Sequence, residues 1–205
     1  MMTNAKKSVG KIEQLLSSSQ NIFTTQDLAV IWDISDKQAL YASIQYYLQS
    51  QRLQRIHKGV YALRDFNSFE LAAKLISPSY ISLYSALSHH GLIFQFYQTL
   101  HSMSVLSKEI QVDEDKFVYH QLKDQVFYDS LGIVNKENYQ LASPERAVCD
   151  TLYLFSEFSF DDLSKLDFSL LEKVSKIYHN QRLEKEVQTL IVKEQKQQEK
   201  QKHVQ

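Results

Sequence analysis

Residues 23–63 read FTTQDLAVIWDIS (23–35), DKQALYASIQYYLQSQRL (36–53) and QRIHKGVYAL (54–63). The first two pieces carry apolar residues at helical spacing with a turn between them, and the third alternates around a glycine. Two short helices followed by a hairpin is the order of a winged helix-turn-helix. In that module the second helix enters a DNA groove and the hairpin grips the backbone beside it.

Along the first helix of this pair, Thr24 or Thr25 supplies a cap, and Leu28, Ala29, Ile31 and Trp32 form an apolar face. Ser35 is the expected cap of the second, after the turn residues Asp33 and Ile34. Leu40, Ile44 and Leu48, spaced four apart, point that helix toward a core with Tyr47 beside them. Its opposite face then presents Lys37, Gln38, Tyr41, Gln45 and Gln49. Lysine contacts phosphate or guanine, glutamine pairs bidentately with adenine in the major groove, and tyrosine donates to phosphate or covers a thymine methyl. A polar helix face is also what simple solvation produces, and the hairpin that follows is what favours groove reading. Arg55, His57 and Lys58 precede Gly59, which is free to take the positive φ of a tight turn. Basic side chains at a hairpin tip suit phosphate, although Arg55 and Lys58 would also keep an exposed strand edge soluble. Upstream, residues 9–16 show the spacing of one more amphipathic helix. The expected DNA-contacting set is Lys37, Gln38, Tyr41, Gln45, Arg55, His57 and Lys58.

The chain has 205 residues, 43% of them apolar, with 24 aromatic side chains and only four glycines and two prolines. It is long enough for one large or two small folded units. Its single cysteine, Cys149, gives no disulfide framework. No apolar run approaches the roughly 18 residues of a membrane span, and the stretch MMTNAKKSVGKIEQLL lacks a signal-peptide core. The expectation is a cytoplasmic protein with no membrane partner. A net charge of −1 hides an asymmetry. Residues 1–65 hold eight Lys/Arg against five Asp/Glu, and residues 66–160 hold six against eleven. Phosphate would be repelled by the middle of the chain and only mildly attracted to its start. Useful DNA affinity is therefore expected to be salt-sensitive and to draw on two copies at adjacent sites.

Beyond residue 66, helices are expected over 69–76, from Ser79 or Ser82 to a stop at Gly91, and from Pro144 to Phe155. Two more follow, near 161–178 and from 181 onward. Strands are expected over 100–106, 116–122, 125–128 and 139–142. The predicted fold class is α+β: a winged helix-turn-helix over 1–66, an α+β domain with a small antiparallel sheet packed by helices over 67–192, and a polar low-complexity tail over 193–205 that is disordered or a solvated helix.

No catalytic constellation stands out. The adjacent His89 and His90 point about 100° apart on a helix, and His101 and His120 have no Cys or carboxylate at a ligand spacing. Arg146 and Asp150, four apart, read as a surface ion pair. Cys149 reads as buried beside Val148 and Leu152, and the acidic run DEDK (113–116) as a solvated turn. A binding protein with no metal and no cofactor is the expectation.

KGVYAL (58–63) leads into ELAAKLISPSYISLYSALSHHGLI (70–93) and later LASPERAVCDTLYL (141–154). This ordered set, spanning about residues 10–180, resembles the AbiEi-type antitoxins of type IV toxin–antitoxin (abortive-infection) systems. The resemblance implies an amino-terminal winged helix that represses its own operon at inverted repeats in double-stranded promoter DNA. It implies a carboxy-terminal domain that counteracts a nucleotidyltransferase-like toxin without a stable complex, in bacterial phage defence or plasmid maintenance. By motif position it gives the DNA-contacting role to Lys37, Gln38, Tyr41 and Gln45, and to Arg55 and Lys58. The chain departs from the family in its few basic residues on the second helix and in its Gln/Lys/Glu-rich tail. Two other readings stand beside it: a winged-helix transcriptional regulator with a ligand-sensing or dimerisation domain, and an enzyme of nucleic-acid metabolism that docks through the winged helix.

Overall fold

The computed structural model describes residues 10–202 apart from 64, 96 and 157, with side chains described as far as residue 196. The chain is α+β and divides into two compact units, one ending at Leu75 and the other beginning at Ile76. Of the expected first helix over 9–16, residue 9 lies outside the described residues.

In the first unit the elements run α1 (Lys11–Leu16), β1 (Ile22–Thr24), α2 (Thr25–Ile31), α3 (Lys37–Gln49), β2 (Gln54–His57), β3 (Val60–Ala62) and α4 (Ser68–Leu75). Thr24 caps α2 through a reciprocal pair, its hydroxyl accepting from the Asp27 N–H while the Asp27 carboxylate accepts from the Thr24 N–H. The cap of α3 is Asp36, whose carboxylate accepts from the Ala39 N–H at 2.7 Å. Sequence reasoning placed it at Ser35; the carboxylate one residue on is the better acceptor at the positive end of a helix. Leu15, Phe23, Leu28, Trp32, Leu40, Ile44, Leu53, Tyr61 and Leu63 form one core, with Tyr47 and Leu48 packed against it. Trp32 donates from Nε1 to the Lys11 carbonyl at 3.0 Å, and Lys11 Nζ donates to the Ser43 hydroxyl, which fixes α1 against α2 and α3.

The three-stranded antiparallel sheet has the order β1-β3-β2. Gly59 turns the β2–β3 hairpin at φ +76°, where an L side chain is strained, and its carbonyl accepts from the Thr25 N–H at 2.9 Å. Sequence reasoning did not anticipate β1, which is only three residues long and reads as the lead-in to a helix.

Helix α4 belongs to this unit, although the sequence reading begins the second domain, 67–192, before it. The Glu70 carboxylate, 2% exposed, accepts from the N–H groups of Asn21 and Ile22 at 2.9 and 3.1 Å, closing the free edge of β1. Lys74 pairs with Asp27 at 2.8 Å. Burial alone would raise the Asp27 carboxyl, but Lys74 and the Thr24 N–H and hydroxyl outweigh it and hold it below its ordinary value. A carboxyl depressed in the folded state contributes stability above its unfolded value and loses it as pH falls through its folded value. Lys74→Met is therefore expected to lower the stability of the first unit at neutral pH and to flatten its acid limb below the ordinary carboxylate range. Urea unfolding followed by Trp32 fluorescence from pH 7 to pH 2 checks this, and an unchanged acid limb would contradict it.

The second unit runs β4 (Ser79–Ile81), α5 (Leu83–His90), β5 (Leu100–Ser104), β6 (Lys108–Val112), β7 (Asp115–Gln121), α6 (Asp124–Phe127), β8 (Ile133–Asn135), β9 (Gln140–Ala142), α7 (Pro144–Leu154), α8 (Phe168–Lys176) and α9 (Gln181–Lys202). Its six-stranded sheet has the order β6-β7-β5-β4-β9-β8. The expected small antiparallel sheet is corrected: β5 with β7 and β4 with β9 are parallel pairs, so the sheet is mixed and larger. Three of its strands are absent from the sequence reading: β6 and β8, which lie at the two edges where half of each strand is solvated and the apolar signal is thin, and the interior β4, whose three residues read as the start of the helix that follows. The predicted strand over 125–128 is the helix α6. Val126 and Phe127 are adjacent and both buried, which a pleated strand with one solvated face does not allow. Part of the predicted tail continues α9 as a solvated helix, with Lys193 and Lys196 exposed.

Candidate nucleic-acid interface

Burying Leu40 and Ile44 leaves the opposite side of α3 in water. Gln38, Tyr41, Gln45 and Gln49 are exposed there, as their spacing predicts, and Lys37, the first residue of the helix, is exposed although it lies three residues before Leu40 on the apolar stripe. At the β2–β3 tip Arg55, His57 and Lys58 are exposed as well. The pairing register shifts between Arg55 and His57, with the half-buried Ile56 between them. All seven predicted residues are thus solvent-facing in one compact unit, on one helix and one hairpin.

Two further residues belong to the same surface and were not singled out from sequence. Tyr46 is 61% exposed beside that face of α3, its ring set edge-on against Tyr47 at 5.1 Å, and Tyr47 in turn lies 5.5 Å from Trp32. A ring set against Tyr47, which itself packs on the core, offers a flat face at little entropic cost. Arg52 is exposed in the turn between α3 and β2 and lines a recess of about 360 Å³ with Arg55, Gln51 and Gln54. Its signal was present in the string QSQRLQR, where two arginines bracket a buried leucine.

The amino-terminal end of α3 offers no anion site of its own. Asp36 fills the Ala39 N–H and, with the exposed Asp33, adds negative charge there. A helix terminus that holds its own carboxylate is closed to phosphate. The cations of this surface are the exposed side chains of Lys37, Arg52, Arg55 and Lys58.

The second unit contains a different polar cluster. Asp150, expected on the surface, is fully buried, as is Arg146. The guanidinium donates to the carbonyls of Val126, Asp129 and Leu131 at 2.8, 3.3 and 3.1 Å, and to Tyr80 Oη. Its Nε lies 3.6 Å from Asp150 Oδ1, and Tyr80, Tyr178 and Ser82 donate their hydroxyls to the Asp150 carboxylate. Burial raises the Asp150 carboxyl, while Arg146 and the three hydroxyls act in the opposite sense. The i,i+4 spacing shows that the two side chains are neighbours but does not show which side of the helix faces the core. Gly132 makes room for this arrangement at φ +77°: a Cβ there would stand 2.9 Å from Arg146 Cβ. The cluster ties the 126–131 segment to α7 and the sheet, and its polar atoms are spent on one another.

Cys149 is buried as expected, and burial followed by the Asp150 charge pushes its thiol well above the ordinary range. His101 and His120, which the sequence offers with His89 and His90 only as a weak metal-site candidate, come together with ring nitrogens 3.1 Å apart. Burial pushes His101 down to about 4 and lowers His120, so both rings are uncharged at neutral pH. Among the described residues no group of three or more His, Cys, Asp or Glu side chains is placed to hold a metal ion. No described helix is long and apolar enough to cross a membrane. No protein-family model and no curated protein matches this sequence.

Proposed function

We propose that this chain is a DNA-binding protein whose first unit is a winged helix-turn-helix, with α2 and α3 as the helix pair and the β2–β3 hairpin as the wing. The single observation that carries this reading is the exposed face of α3, rich in glutamine and tyrosine, in the same small unit as a hairpin tipped with Arg55, His57 and Lys58. An apolar-backed helix bearing groove-reading side chains, followed by a cationic hairpin, suits a major groove and the phosphates beside it. Gln38 and Gln45 have the chemistry for adenine edges, Lys37 for guanine or phosphate, and Tyr41 for a thymine methyl or a phosphate oxygen.

The resemblance of 58–63, 70–93 and 141–154 to AbiEi-type antitoxins supports a narrower reading. On it, the protein represses its own operon at inverted repeats and counteracts a nucleotidyltransferase-like toxin without forming a stable complex. The cytoplasm is the place where both activities would be exerted. The runner-up is a winged-helix transcriptional regulator whose second unit senses a ligand or joins two copies.

The test is a titration of the full chain onto duplex DNA from upstream of its own coding sequence, read by fluorescence anisotropy at several salt concentrations. Saturable binding that outlasts an excess of unrelated duplex is the expected result, and equal affinity for both duplexes would overturn specific reading. Arg55→Ala combined with Lys58→Ala is expected to weaken binding to all duplexes alike and to reduce the slope of log K against log salt by about 2, one for each lost phosphate contact. An unchanged slope would remove the wing from the phosphate backbone. Co-expression with the neighbouring gene, scored for growth, separates antitoxin from plain regulator: rescue supports the first, and its absence with repression intact supports the second.

A further inference from the structure

His101 lies on β5 and His120 on β7, adjacent parallel strands in which His101 stands opposite Val118. Strand residues two apart share a face, so the two imidazoles project on the same side of the sheet. His101 Nδ1 and His120 Nε2 are 3.1 Å apart, with ring centroids at 5.4 Å and planes 20° from parallel. Tyr84 packs on His101 at 5.0 Å and Phe155 on His120 at 6.3 Å, so both rings are held by neighbours and neither is fully enclosed. We propose that His101 and His120 form a two-imidazole site for a borderline divalent transition-metal ion, zinc foremost, with solvent completing the coordination.

The spacing is the first argument. Two nitrogens bound to a tetrahedral ion at about 2.0–2.1 Å lie about 3.3–3.4 Å from each other, so the pair needs to open by only a few tenths of an ångström to share one ion. The second argument is charge state: two uncharged imidazoles offer lone pairs without first losing a proton. In the absence of metal one ring donates N–H to the other. Binding requires the donor ring to move that proton to its second nitrogen, a change of tautomer with no net proton released. Imidazole ligation selects zinc, copper, nickel or cobalt over magnesium and calcium, which prefer oxygen. Glu109 on the neighbouring strand β6 and Lys116 on β7 are paired with each other at 2.7 Å and act on His101 in opposite senses, so the surrounding charge neither draws a cation in nor bars it. With two protein ligands the ion is held less tightly than in a closed four-ligand site, and it bridges β5 to β7.

The test is titration of the full chain with Zn²⁺ and, separately, Co²⁺, followed by long-range ¹H–¹⁵N NMR of the imidazoles. One saturable equivalent that shifts the ring nitrogens of His101 and His120 is the expected result. H101Q and H120Q keep a hydrogen-bonding partner for the remaining ring but remove one ligand, and each is expected to weaken binding about tenfold or more. H89Q combined with H90Q is expected to bind as the wild type does. The proposal is overturned if other histidines shift while these two do not, or if H101Q and H120Q with native circular dichroism bind metal unchanged. Should either variant fail to fold, the wild-type ring shifts decide alone.

Discussion

Replacing Lys37, Gln38 and Tyr41 together with alanine is expected to lower affinity for the protein's own upstream DNA by about a hundredfold or more. Each well-placed groove contact supplies about 1–3 kcal/mol and each phosphate contact somewhat less, so three losses sum to at least about 3 kcal/mol. Folding should survive the change. All three side chains are exposed on α3, and alanine is the strongest helix former, so the helix gains propensity as it loses contacts. The loss should also be uneven across sequences. Side chains that read base edges discriminate, so the variant's residual binding should approach that of an unrelated duplex, whereas the wing variant weakens both. Binding retained within a few fold, in a protein with native circular dichroism, would exclude α3 as the reading element.

The second large effect concerns the stability of the second unit. Asp150→Ala leaves the Arg146 guanidinium buried without its counter-charge and leaves the hydroxyls of Tyr80, Tyr178 and Ser82 without their acceptor. Breaking a buried pair from one side costs about 3–5 kcal/mol, a large share of the stability of a domain this size. Asp150→Asn keeps an acceptor oxygen of the same shape and should cost less, so the two variants separate lost charge from lost hydrogen bonds. Arg146→Met should be comparably damaging, because it frees the carbonyls of Val126, Asp129 and Leu131 as well. Guanidinium unfolding followed by far-UV circular dichroism measures all three. A cost under about 1 kcal/mol for Asp150→Ala would mean that the carboxylate is not the hub of this network.

How much of this was legible depended on whether the deciding interaction is local. The helices α2, α3 and α7 follow from apolar spacing and from caps within three residues, and Gly59 announces its own turn. The exposed face of α3 follows from the same periodicity, so the predicted contact residues stand in solvent together. Pairings between distant segments left little trace. Nothing in SYI (79–81) says that it lies between an antiparallel and a parallel neighbour, and the mixed sheet was read as a small antiparallel one. Arg146 and Asp150 look like a surface pair until Tyr80, 70 residues from Asp150 in sequence, closes over them. Glu70 reads as an ordinary first-turn acid, yet it accepts the amides of β1 and carries α4 into the first unit. The His101–His120 pair depends on β7 settling beside β5 in parallel register, which a string of residues does not encode locally.

The central claim is that α3 and its hairpin contact DNA. Amide hydrogen exchange of the full chain, with and without duplex from upstream of its own coding sequence, tests it most directly. The account predicts slowed exchange over residues 37–49 and 54–60, with the six-stranded sheet unchanged. Protection confined to the second unit, or none anywhere at saturating duplex, would contradict it.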